Sequence, residues 1–168
     1  MAKTRKTGAI ELLKQDHREV EALFKEFQQL DEAGDAAVAP VIATACAELK
    51  IHDIIESEIF YPAVREQAAQ EEVEDLLNEA EVEHNSVRAL IQTIQAMDLA
   101  NRKRLAHFTV LMEYVKHHVK EEEKEMFPKI KQLDLDLRAL GERMKQRKTE
   151  LMSEMGIEVT EESEDQPA

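Results

Sequence analysis

The chain has 168 residues, one domain's worth, with 36 acidic against 22 basic side chains and a formal charge of −14. That balance argues against a nucleic-acid binder, which needs Lys and Arg on phosphates, and no stretch nears the roughly 20 apolar residues of a membrane span. Scarce glycine and proline (four each) and a wealth of Ala, Leu, Glu and Lys predict an all-α fold, and a single cysteine, Cys46, rules out an internal disulfide and fits a reducing, cytoplasmic setting.

Residues 1–8 are basic and are expected to be flexible; Glu11, Lys14 and Asp16 interrupt any signal-peptide core behind them. The first helix is marked by Ile10, Leu13, His17, Val20, Phe24 and Phe27 at alternating spacings of three and four, and it ends near Leu30 in the turn chemistry of Asp31, Gly34 and Asp35. Pro40 suits the first turn of a second helix, whose stripe runs Ile42, Ala45, Leu49, His52, Glu56, Ile59 and Ala63; Pro62 should kink it or end its regular part. A third helix reads Val73, Leu77, Ala80, His84, Val87, Ile91 and Ile94 and closes near Asp98. A fourth reads Phe108, Leu111, Val115, His118 and Glu122 and stops around Pro128.

Short connections between long helices imply antiparallel neighbours, so residues 9–130 are predicted to form an up-down-up-down four-helix bundle. A further C-terminal amphipathic helix follows over 131–156, with Leu133, Leu137, Leu140, Met144, Leu151 and Met155 on one side and Gly156 as its stop. Its partner is open: the outside of the bundle, or a second copy of the chain in a homo-oligomer. The acidic stretch 157–168 is expected to be disordered.

The chain also repeats itself. His52-x3-Glu56-x5-Pro62 returns as His118-x3-Glu122-x5-Pro128, and Asp16-His17-x2-Val20-x-Ala22-Leu23 returns as Glu83-His84-x2-Val87-x-Ala89-Leu90, at offsets of 66 and 67 residues. Each repeat thus brings two histidines and one glutamate. His-x3-Glu alone means little in so acidic a chain, since His17, His52, His117 and His118 all have Glu at +4. Position discriminates. His17, His52, Glu56, His84, His118 and Glu122 occupy slots that Leu or Val hold elsewhere on the same stripes. An unpaired buried carboxylate or imidazolium costs several kcal/mol, so such residues must be paired, hydrogen-bonded or metal-bound.

Helix rise places His17 and His52 at nearly the same depth, at ~1.5 Å per residue, and i,i+4 spacing puts each Glu on the face of its His. Two ions sharing the carboxylates would lie roughly 3.5–4 Å apart. A metal-free network of buried His and Glu is the alternative; the duplication favours a metal cage. No Ser, Cys or Lys shares the stripe with a histidine base, so no nucleophile is assigned. His107 reads as a satisfied helix-end histidine, His117 as surface or outer support, and Glu121, Glu123 and Glu125 as a solvated charge run. Tyr61 and Tyr114 fall near the site or serve packing, and Cys46 reads as a small core residue.

At these residues the chain resembles the hemerythrin-like family, the HHE cation-binding domains, from about Ala9 to Ile130. The ordered pattern H…HxxxE…H…HxxxE carries the likeness, with the contexts Gln15-Asp16-His17-Arg18-Glu19-Val20, Phe60-Tyr61-Pro62, His117-His118-Val119 and Glu121-Glu122-Glu123. The resemblance implies a non-haem di-iron centre, oxo- or hydroxo-bridged, held by His17, His52, His84 and His118 with Glu56 and Glu122 bridging, and a ligand such as O2 or a related small molecule. Mn or Zn suits the same donors. Oxygen-carrying hemerythrins have a further histidine one turn before the third-helix ligand, where this chain has Ala80; Glu81, one residue on, either reaches the metal or faces solvent, and the solvent-facing reading is favoured. The departure opens a coordination position and points away from simple oxygen storage.

Three functions stay open: a metal protein that binds O2 or a related molecule in oxygen, NO or redox sensing or in iron handling; a di-iron enzyme acting on peroxide, nitric oxide or ferrous iron; and a regulatory module whose outer helix responds to metal.

Overall fold

A computed structural model of the chain describes residues 7–30 and 34–157. The expected flexible start, apart from Thr7 and Gly8, the turn residue Asp31, and the acidic tail beyond Ile157 lie outside the described residues. Every regular element described is helical. α1 spans Ala9–Leu30 and buries Ile10, Leu13, Val20, Phe24 and Phe27 along one stripe. α2 spans Asp35–Ile55, behind Gly34 at φ 104°, a left-handed conformation that glycine adopts without a Cβ clash. Pro40 is therefore sixth in α2 and not in its first turn. The extra turn buries Val38 completely, worth on the order of 2 kcal/mol, which works against the backbone bond that proline gives up.

Immediately after α2 the helix widens into a π turn, Glu56–Phe60, closed by the Tyr61 N–H donating to the Glu56 carbonyl; α3, Tyr61–Gln67, continues it. The second repeat does the same. After α4 (Glu71–Ala96) and α5 (Lys103–Glu121) comes a π turn at Glu122–Met126, closed from Phe127 N–H to Glu122 carbonyl, and then α6, Phe127–Ile130. Pro62 and Pro128 each lie one residue past the Tyr or Phe that closes the turn. Lacking an N–H, they cannot reward the carbonyl four residues back, so the α register loses its advantage there.

The last helix, α7, is shorter than expected. It runs Leu137–Glu154, because the Asp136 side chain accepts a hydrogen bond from the Ala139 N–H at 3.0 Å and starts the helix there. Gly156, at φ 69°, follows its end. No described helix is long and apolar enough to cross a membrane.

Buried apolar residues form two layers. One joins Val20, Phe24, Phe27, Ile42, Leu49, Ile91, Phe108 and Leu111; the other joins Ile10, Leu13, Ile51, Ile55, Phe60, Val64, Leu77, Phe127 and Ile130. α7 belongs to the second layer through Leu140, Met144 and Leu151 and packs on α1 and α2. Its Gly141 touches backbone: a Cβ there would stand 2.7 Å from Ala9 N, Gly8 C and Thr7 O. Gly141→Ala should therefore destabilise the protein by about 1–3 kcal/mol despite alanine's better helix propensity. The expected fall in melting midpoint is roughly 2–10 °C; an unchanged or raised midpoint would refute the close contact.

Candidate metal centre

The six polar residues singled out in the sequence meet in one cluster between the two apolar layers, and none is more than 7% exposed. α1 supplies His17, α2 His52, α4 His84 and α5 His118, while Glu56 and Glu122 each begin a π turn. Their donor atoms form two groups. His17, His52, Glu56 and Glu122 offer atoms within 4.8 Å of one another, and so do Glu56, His84 and His118. Glu56 spans both groups with separate oxygens: Oε1 lies 3.1 Å from His52 Nε2 and Oε2 3.2 Å from His84 Nε2. Glu122 spans them with one oxygen, its Oε2 lying 3.2 Å from His17 Nε2 and 3.5 Å from His118 Nε2.

Each imidazole is held from behind by a carboxylate on another helix segment. The Nδ1 atoms pair with Glu123 for His17 (2.9 Å), Asp16 for His52 (3.0 Å), Asp53 for His84 (2.7 Å) and Glu83 for His118 (2.5 Å). An Nδ1–H donating outward fixes the ring and leaves the Nε2 lone pair aimed at the centre, the arrangement found behind metal-bound histidines. Two of the carboxylates are themselves neutralised, Asp16 by Lys148 of α7 at 2.5 Å and Asp53 by Arg88 at 2.6 Å.

The donor set fits a cation. His17 Nε2, His52 Nε2, Glu56 Oε1 and Glu122 Oε2 are buried and make no hydrogen bond; the approaches of 3.1–3.2 Å among them lack the angles. Each such orphan costs about 1–3 kcal/mol, more if charged. Four of them together rival the whole net stability of a domain, about 5–15 kcal/mol. Cation ligation removes that cost. Beside the histidines lies a cavity of about 30 Å³ walled by Val20, Leu49, Val87, Val115 and Val119, room for one molecule of water's size.

The family model of the hemerythrin HHE cation binding domain matches residues 8–156. The chain belongs to this family. The crystal structure of a hemerythrin HHE cation binding domain-containing protein from Mycobacterium kansasii shares the fold at a TM-score of 0.70 and 24% identity, covering 88% of this chain and 89% of that one. No curated protein matches the chain.

In this HHE domain the other residues singled out in the sequence take the following places, and Glu123 is the one that departs from its sequence-based reading. Tyr61 lies inside the cluster: its hydroxyl donates to Glu122 Oε1 at 2.7 Å and stands 3.3 Å from Glu56 Oε2 and 3.2 Å from His84 Nε2. A spacing of five would turn Tyr61 about 140° from Glu56 on an α-helix; the π turn brings it back to the same face. Tyr114 is exposed instead. Glu123 is no member of a solvated run but the support of His17, whereas Glu125 is exposed. Glu81 is turned outward to Arg65 at 2.7 Å, so it stands away from the cluster. Ala80 is buried in the apolar layer. His107 donates to the Lys103 carbonyl at 2.7 Å. Cys46 is buried, and burial pushes its thiol up to about 11.

The electrostatics tie protons to the cluster. Burial disfavours charge on His84, but its hydrogen bonds to Asp53 and Glu56 and the nearby carboxylates outweigh this and raise it to about 9. His52 and His118 are raised as well, against burial, chiefly by the charge of Glu56 and of Glu122 respectively. Burial would raise Asp53, yet hydrogen bonds from His84 and Arg88 hold it at about 2. Tyr61 stays protonated, raised by burial and by the charges of Glu122 and Glu56.

A raised histidine stabilises fully below its unfolded value of 6.5 and loses that contribution as pH climbs through the folded value. For His84 the loss is on the order of 3 kcal/mol. Chelator-stripped protein should therefore melt several degrees lower at pH 9 than at pH 6.5. Asp53 works oppositely and gives way only as pH falls from 3.8 toward 2. A melting midpoint constant from pH 6.5 to 9 would refute this proton binding.

Proposed function

We propose that His17, His52, His84 and His118, with Glu56 and Glu122 shared between them, hold a pair of iron ions, and that this protein binds O2 or a related small molecule in the adjoining cavity. The observation that carries the reading is the common orientation of four imidazoles, each pinned through Nδ1 with Nε2 inward. The division into two groups of two histidines joined by Glu56 supports two ions rather than one. Imidazole with carboxylate suits Fe, Mn and Zn; carboxylates shared between neighbouring ions favour iron. Iron bound there would supply reversible redox chemistry and an open coordination position.

The chain's own part is to orient, exclude and protonate. Val20, Leu49, Val87, Val115 and Val119 leave a small cavity whose wall is apolar, which admits small molecules and disfavours ionic ones. Tyr61 keeps a proton beside Glu122 and Glu56. That phenol also favours a second reading, turnover of peroxide, nitric oxide or ferrous iron, which need protons delivered or removed. Stopped-flow mixing of the reduced protein separates the two: a stable adduct supports binding, and repeated consumption of oxidant supports catalysis. The scaffold reading that goes with this proposal is an up-down-up-down bundle of α1, α2, α4 and α5, supported by the packing of α1 on α2 and of α4 on α5 across short connections. A cytoplasmic location is part of the same proposal.

Freshly purified protein should contain two irons per chain. His52→Ala or His118→Ala should lower that stoichiometry while far-ultraviolet circular dichroism keeps most of the helix signal; wild-type iron in either variant would remove that residue from the ligand set. Asp53→Ala, which reaches the cluster only through the back of His84 and otherwise frees Arg88 and Ser57, should weaken metal affinity by about 10- to 100-fold in a chelator competition. Equal affinities would mean that His84 needs no such support.

A further inference from the structure

The two repeats differ on their outer side. In the first, Asp16 supports His52 with one oxygen, Oδ2, while its other oxygen, Oδ1, carries the Lys148 ammonium of α7 at 2.5 Å. In the second, Glu83 stands where Asp16 stood and supports His118 through Oε2. Its Oε1 meets no lysine or arginine ion pair among the described residues. It faces His117 Nε2 at 3.9 Å, and that nitrogen lies 3.0 Å from Glu121 Oε1. The counterparts of His117 and Glu121 in the first repeat are Ile51 and Ile55, both buried in the layer that α7 joins. Over the second repeat the same places are polar and open, with side-chain exposures of 64% for His117, 31% for Glu121 and 24% for Glu83.

Donor atoms of Glu83, His117 and Glu121 lie within 4.8 Å of one another. They put two carboxylates and one imidazole where the twofold-related carboxylate already binds a cation. We propose that Glu83, His117 and Glu121 form a second, solvent-facing site for a divalent transition-metal ion, through which the buried pair is loaded. It rests on the reading of the buried cluster as a metal pair.

The imidazole selects a transition metal over Ca²⁺ or Mg²⁺. With three protein donors and water completing the shell, the ion is held weakly and exchanges. Glu83 gives the site its direction: one oxygen faces this cluster and the other holds His118, whose Nε2 belongs to the buried group. An ion drawing Glu83 outward releases the His118 ring from its support, so the ring is free to turn and take the ion inward. The negative charge of Glu83 and Glu121 also raises the local cation concentration.

The test is anaerobic titration of chelator-stripped protein with Co²⁺, read by its visible absorption and by equilibrium dialysis. Wild type should hold two tight ions and a third, weaker one. The double variant His117→Ala, Glu121→Gln alters only exposed or half-exposed positions; it should keep the two tight ions, lose the third, and fill the tight pair more slowly at dilute Co²⁺ by roughly tenfold or more. Retention of the third ion, or a wild-type loading rate, overturns the port. Failure of the wild-type protein itself to hold two tight ions would overturn the buried centre and the port with it.

Discussion

Four imidazoles and two carboxylates are buried between two apolar layers, where each needs a partner for every polar atom. The protein satisfies half of that need itself. Every Nδ1 has a carboxylate behind it, and Asp16 and Asp53 have a lysine and an arginine behind them in turn. On the inner side the atoms instead confront one another, several with no hydrogen bond. An interior arranged this way is tolerable because something positive, protons or metal ions, can occupy the space between. The raised histidines and the fit to a cation are two expressions of that single requirement.

Much of this was legible in the sequence, because helix stripes expose polar residues in apolar slots and the repeat certified them. All six inward residues were found that way. The outer carboxylates were not, although Asp16 and Glu83 stood in the repeated motif. A residue next to one of these inward residues points about 100° away from it, toward a neighbouring helix that one-dimensional spacing does not reveal. Thirty-six acidic side chains also hide the four that matter. Glu123 illustrates the difficulty: its counterpart in the first repeat is Ser57, so duplication gave no hint. Tyr61 was left between the site and plain packing for a different reason, since no stripe of period 3.6 predicts a π turn, and its counterpart Phe127 has no hydroxyl.

Those mismatches show a twofold plan used asymmetrically. Phe127 lies parallel to His17 at 6.0 Å as a purely apolar neighbour, whereas Tyr61 donates a hydrogen bond into the cluster. Consequently Glu122 keeps one oxygen occupied by the phenol, while Glu56 offers one oxygen to each group. α7 adds a second asymmetry by covering the first repeat and supplying Lys148 there. Two chemically similar positions thereby acquire different surroundings, which is the usual precondition for two metals to differ in affinity or potential.

The π turns have a consequence for kinship. Each contains one residue more than the α-helical path it replaces, yet the faces before and after it stay aligned. A relative lacking that residue could run straight through as an α-helix and still present an aromatic ring at the same place. The count between Glu56 and Tyr61 is therefore free to differ by one among descendants of a common plan. Templates that insist on a rigid interval there would separate proteins that are built alike.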